Sequence, residues 1–174
     1  MKTALIIIDF QERLARHISG IDEVLKNSVK LVKACKILEV PMILTEQIKL
    51  GATVKEIREI IDVKPIEKSS FSCAGCPEFN HMLEKINPRR CVLIGIEAHI
   101  CVLQTALDLR DRGYETHVAV DCTGSRRELD KQIAIQRMMM KDITPTTSET
   151  VIYEILKTAQ HEKFKQILEI VKEQ

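Results

Sequence analysis

The chain has 174 residues, with 26 Lys and Arg against 25 Asp and Glu, a formal net charge of +1. That balance gives no electrostatic reason to bind nucleic acid or an anionic membrane surface, which leaves a small molecule as the expected partner. The length fits a single domain over residues 1–174 that buries roughly two-thirds of its unfolded surface. Its apolar runs are strand-sized, far short of the ~20 residues a membrane span needs.

The N-terminus passes from one Lys directly into the apolar run Ala4–Ile8 and then Asp9, without the small-residue cleavage site of a secretory leader. That run is rich in β-branched residues and unbroken by polar ones, as in a parallel strand covered on both faces. From Ile21 to Leu38 apolar residues recur at helical spacing and mark an amphipathic helix. Val40–Leu44 reads as the next strand, with Pro41 near its start. A short helix is expected over Val54–Ile61, and Pro77 opens another that runs to about Ile86. Cys91–Gly95 is a buried strand. Val102, Ala106 and Leu109 then give a helix that Gly113 ends in a left-handed conformation.

Glu115–Val120 is a further strand, Leu129–Met140 a helix with the Met138–Met140 run packed at its end, and Asp142–Thr146 a last short strand. Thr146 and Glu149 have capping-box spacing before Val151, Ile152, Ile155 and Leu156. Phe164, Ile167, Leu168 and Val171 form one face of a terminal helix. Alternating strands and helices imply a three-layer α/β/α sandwich with a mostly parallel, Rossmann-like sheet. Ligands of such sheets bind beyond the carboxyl ends of the strands, where Asp9 and Cys101 both fall.

Six cysteines, at 35, 73, 76, 91, 101 and 122, are dispersed along the chain, so reduced thiols and a cytoplasmic location are expected. Cys35, Cys91 and Cys122 lie in or beside apolar periodic segments and read as inert buried thiols. Cys73-Ala74-Gly75-Cys76 is a CxxC, which serves zinc or redox chemistry in other settings. Here it lacks a second CxxC or CxxH, so a turn with packed cysteines is the preferred reading over a redox pair. Arg126, Arg127 and Lys131 have the spacing of a solvated helix face, with attraction of an acidic substrate as the alternative.

Three segments carry chemistry together: Ile8-Asp9-Phe10-Gln11, Glu67-Lys68-Ser69-Ser70-Phe71-Ser72, and Gly95-Ile96-Glu97-Ala98-His99-Ile100-Cys101-Val102. Singly, the Asp, the Lys and the Cys would each be a turn former, a solvated cation and a packed thiol. In this order they resemble the isochorismatase-like cysteine hydrolases. Thr45-Glu46-Gln47 and the 147–151 region resemble the subgroup of small isochorismatase-domain proteins.

The resemblance implies Cys101 as nucleophile, Asp9 as proton acceptor and later the base for water, and Lys68 as the cation of the trio. It also implies an oxyanion hole from the backbone N–H groups of Glu97 and Cys101, a cis peptide at Ile96–Glu97, and a homo-oligomer. By position, Gln11, Phe71, His99 and Ile100 are expected to line the substrate pocket. A cation and a helix N-terminus near Cys101 would lower its thiol below the ordinary ~8.5, and the thiolate would then form a thioester with an amide-type or carbamoyl carbonyl.

Relatives that bind a metal do so through an Asp and two His after the second strand. Thr45–Gly51 contains no such set, so no metal and no cofactor are expected. Retention of Cys101 favours C–N cleavage over the ether hydrolysis of isochorismatase proper. A catalytically silent scaffold subunit is the reading from another functional class.

Overall fold

The computed structural model describes residues 2–172. Six parallel strands form one sheet in the order β3-β2-β1-β4-β5-β6: β1 Thr3–Ile8, β2 Met42–Gln47, β3 Ile66–Lys68, β4 Arg90–Ile96, β5 Glu115–Gly124 and β6 Thr144–Thr146. The eight helices among the described residues are α1 Glu12–Ala15, α2 Ile21–Ile37, α3 Lys55–Arg58, α4 Pro77–Ile86, α5 Leu103–Asp111, α6 Glu128–Met139, α7 Ser148–Leu156 and α8 Phe164–Lys172.

Period-two alternation in β1 separates the two cores. Leu5 and Ile7 pack with Leu31 and Val32 of α2, Val151 and Ile152 of α7, and Ile167 of α8. Ala4, Ile6 and Ile8 pack with Phe79 and Leu83 of α4, Ala106 and Leu109 of α5, and Ala134 and Met138 of α6. Both faces of the sheet are therefore covered, which is why β1 needs an unbroken apolar run. The three-layer α/β/α arrangement agrees with the sequence expectation.

Strand order reverses between β1 and β4, so the ends of these two neighbours frame the crevice where such sheets bind ligands. Their close approach depends on Gly95, which has φ of 144° and where an added methyl would overlap the Ile8 carbonyl oxygen.

Several elements differ from the sequence reading. Pro41 has no N–H for the ladder, and its carbonyl accepts from Leu5 N, so β2 starts at Met42 and runs on to Gln47. The 54–61 helix contracts to Lys55–Arg58. β5 continues past Val120 because it bulges: Leu93 pairs with Val118 but Gly95 with Thr123. The N-cap of α7 is Thr147, whose hydroxyl accepts from Thr150 N at 3.3 Å, displacing the expected Thr146 by one residue. Ser148 adds a second tie, donating from its N and Oγ to Asp121 at 2.8 and 2.6 Å. Met138 is buried, but Met139 and Met140 are exposed, so the methionine run packs through one side chain alone. The three residues of β3 and the single turn of α1 are too short to leave a periodic signature.

Candidate active site

Asp9 follows β1 in a left-handed conformation, φ 52°, which Asp tolerates better than most residues. The β1–β2 register sets Ile8 opposite Thr45, and the β2–β3 register sets Gln47 opposite Lys68. Three adjacent strand ends thereby deliver Asp9, Thr45 and Lys68 to one spot. Lys68 Nζ donates to Asp9 Oδ2 at 2.7 Å, and Thr45 Oγ1 donates to Asp9 Oδ1 at 2.8 Å. The ammonium also donates to Gln47 Oε1 at 2.7 Å and to the carbonyls of Ser70 and Phe71, each at 3.1 Å. Burial opposes the Lys68 charge, but the charge and hydrogen bond of Asp9 lead the influences that outweigh it and hold the amine above its ordinary range.

Beyond β4, the Ile96–Glu97 peptide is cis, as the resemblance implies. Ala98–Val102 then forms a single π-helical turn that runs into α5. Such turns are rare and concentrate at functional sites. Cys101 therefore lies inside a helical turn rather than ahead of the helix. Cys101 is 6% exposed and within electrostatic reach of Asp9. Burial and the Asp9 charge push the Cys101 thiol up, Lys68 opposes them, and the upward influences win. This direction differs from the expected lowering, because the Lys68 ammonium is engaged by Asp9 and Cys101 lies inside the turn.

The Glu97 side chain, 4% exposed, crosses to the loop after β5. Its Oε2 accepts from Arg126 N at 3.0 Å and from Arg126 Nε at 3.1 Å. His99 Nδ1 lies 2.9 Å from Ser125 Oγ in the same loop. The π turn is therefore held to the β5–α6 connection at two points. A cavity of about 490 Å³ opens beside it, lined by His99, Arg126, Arg127 and Asp130.

The Isochorismatase domain family profile matches residues 3–150. The chain belongs to the isochorismatase family. Among its relatives, isochorismatase domain-containing protein 2 of Xenopus laevis is 38% identical over 174 residues, covering 98% of this chain and 84% of the relative. Isochorismatase family protein 1B of Dictyostelium discoideum is 35% identical over 178 residues, covering 98% and 86%. The solved structure of the MAR1 ribonuclease from Caenorhabditis elegans is 36% identical, with a TM-score of 0.92 and coverage of 98% of this chain and 89% of that one. The fold and hydrolase class of this isochorismatase-family chain follow from these matches.

The remaining residues that the sequence singles out divide clearly. Ile100 is half-buried at the edge of the second core, and His99 faces the cavity. Gln11 is buried, but its amide is occupied by the 47–51 loop: Nε2 donates to the carbonyls of Gln47 and Gly51 at 2.9 and 2.6 Å, and Oε1 accepts from Gln47 N at 2.7 Å. It shapes that loop through these bonds. Phe71 is 55% exposed and meets the trio through its carbonyl alone. Arg126 is exposed, in keeping with the solvated-face reading, while it also binds Glu97 and lines the cavity.

Cys73 and Cys76 point apart. Cys73 Sγ lies 3.8 Å from Thr45 Oγ1 inside the site, whereas Cys76 Sγ is 3.8 Å from the Glu67 carbonyl. All six cysteines are free. Among the described residues no group of three or more His, Cys, Asp or Glu is arranged to hold a metal ion. Sequence inspection passed over Thr45 as a site residue, although its position at a strand end beside the Asp9 strand was the available signal.

Proposed function

We propose that this isochorismatase-family hydrolase cleaves an amide-type or carbamoyl C–N bond of a small molecule through a thioester on Cys101. The observation that carries the reading is the buried Asp9 carboxylate, clamped by Lys68 and with its charge felt at the Cys101 thiol. A protonated thiol beside a carboxylate suits a coupled step: its proton passes to Asp9 as sulfur attacks the carbonyl carbon. The carbonyl oxygen becomes an anion, and the backbone N–H groups of Glu97 and Cys101 are the proposed donors to it. Collapse breaks the C–N bond, and Asp9 returns the proton to the leaving nitrogen. Water then attacks the thioester with its proton going to Asp9. The second collapse releases the acid, and the proton returns to the Cys101 sulfur. Lys68 keeps its proton throughout and balances the negative charge as it moves from carboxylate to sulfur to oxygen.

His99 and Ile100 beside the turn are proposed to contact substrate, with Gln11 and Phe71 shaping the opposite wall. Among the described residues no helix is long and apolar enough to cross a membrane. A cytoplasmic, homo-oligomeric protein is proposed, with the exposed Leu129 and Ile133 of α6 and Met140 just after it as a candidate contact between copies.

The ribonuclease named for the C. elegans relative supplies a competing reading for this chain. The balanced net charge and an acidic group at the centre of the site favour the small-molecule reading over a polyanion. A screen of amides, carbamoyl compounds, isochorismate and RNA, run against Cys101→Ala, decides. Amide or carbamoyl turnover falling roughly 10³-fold or more in the variant, with an acyl adduct on Cys101 by mass spectrometry, is the expected result. Turnover that survives Cys101→Ala removes the thioester mechanism.

A further inference from the structure

Thr45 is wholly buried in β2, between β1 and β3. A strand needs only a β-branched residue there, and Val has that shape without a hydroxyl to satisfy. The hydroxyl is nonetheless present, and it donates to Asp9 Oδ1 at 2.8 Å. A hydroxyl has one proton. With that proton directed at the carboxylate, the oxygen can only accept from Cys73, whose Sγ lies 3.8 Å away. Cys73 is fully buried, and its N donates to Thr105 Oγ1 at 2.9 Å, which anchors the backbone carrying the thiol. Its thiol is pushed up to about 11, first by burial and then by Asp9, so it keeps the proton it offers.

Hydrogen bonds thus run from Cys73 to Thr45 to Asp9 Oδ1, while Lys68 holds Oδ2. The terminal torsion of an Asp is otherwise broad and two-fold. A separate donor on each oxygen fixes the carboxylate plane and distinguishes the two oxygens.

We infer that Thr45 is a positioning residue, whose hydroxyl, backed by the Cys73 thiol, orients the Asp9 carboxylate so that a remaining lone pair faces the Cys101 thiol. The inference rests on the proposed role of Asp9 as proton acceptor.

The test compares Thr45→Val, which keeps the shape, with Thr45→Ser, which keeps the hydroxyl; Thr45→Ala is a second hydroxyl-free variant in case one fails to fold. The Asp9 carboxylate stretching bands are recorded by infrared difference spectroscopy and assigned by their absence in Asp9→Asn. Losing the donor on Oδ1 changes the hydrogen bonding of one carboxylate oxygen, so Thr45→Val shifts these bands. Thr45→Ser keeps them in place. On the substrate found by the screen, kcat of Thr45→Val falls by about tenfold, the size of one such hydrogen bond, while KM holds. Carboxylate bands unchanged in Thr45→Val, or shifted equally in Thr45→Ser, overturn the inference and leave the mechanism standing if Asp9→Asn is inactive. Full activity in Asp9→Asn removes Asp9 as the proton acceptor, and the inference with it.

Discussion

Lys68 Nζ lies 2.7 Å from Asp9 Oδ2, and both side chains are fully withdrawn from solvent. Bringing two charges out of water is costly, and here the cost is offset by their attraction together with three further acceptors around the ammonium and the Thr45 hydroxyl on the carboxylate. The pair is well satisfied as a unit and poorly tolerant of losing one member.

Lys68→Ala is therefore expected to destabilise the protein by roughly 3–5 kcal/mol, because Asp9 is left as an uncompensated buried charge. Asp9→Ala/Lys68→Ala should recover part of that loss. Urea unfolding of the two single variants and the double variant measures the coupling; strict additivity would show that the pair is not energetically linked.

Cys101 is expected to react slowly with iodoacetamide at neutral pH, since burial and the Asp9 charge hold the thiol protonated. Cys76 is half-buried whereas the other five cysteines are buried, so it should be labelled first. Peptide mapping after timed alkylation reads the order directly. Rapid labelling of Cys101 that is already at its plateau near pH 7 would restore the pre-formed thiolate that the sequence alone implied.

Buried thiols also tie stability to alkaline pH. Cys35 is pushed up by burial from an ordinary 9.0 to about 12, Cys91 likewise to about 12, and Cys73 to about 11. Above about pH 9 the unfolded chain releases these protons while the folded chain retains them. The folded state then binds more protons, so stability falls as pH rises. The contribution is complete below about pH 9 and is lost progressively toward pH 11 to 12. Tm should decline across this window, and Cys35→Ala should flatten the slope. A slope identical to that of the unsubstituted protein would exclude Cys35 as a source.

Local pattern was enough for the sandwich. β1, α2, α4 and β4 announce themselves through unbroken apolar runs, helical spacing and a Pro at a first turn, because both sheet faces must be covered and each helix must bury one stripe. β3 escaped notice since its three residues bury only Ile66 and Lys68, and a buried Lys reads as exposed until its partner is known. Asp9, Lys68 and Cys101 were legible as a set through three motifs, as was the cis peptide before Glu97.

The sequence by itself determined the layer architecture through its periodicity, and pointed to the family and to three candidate reactive residues through its resemblance to the isochorismatase-like hydrolases. Tertiary structure alone decided which group the Lys68 ammonium meets. That depends on distances between side chains 59 positions apart in the chain, and a 2.7 Å contact puts the ammonium on the Asp9 carboxylate. The same holds for Thr45, Gln11 and Arg126, whose roles come from strand register and loop contacts that no local pattern encodes.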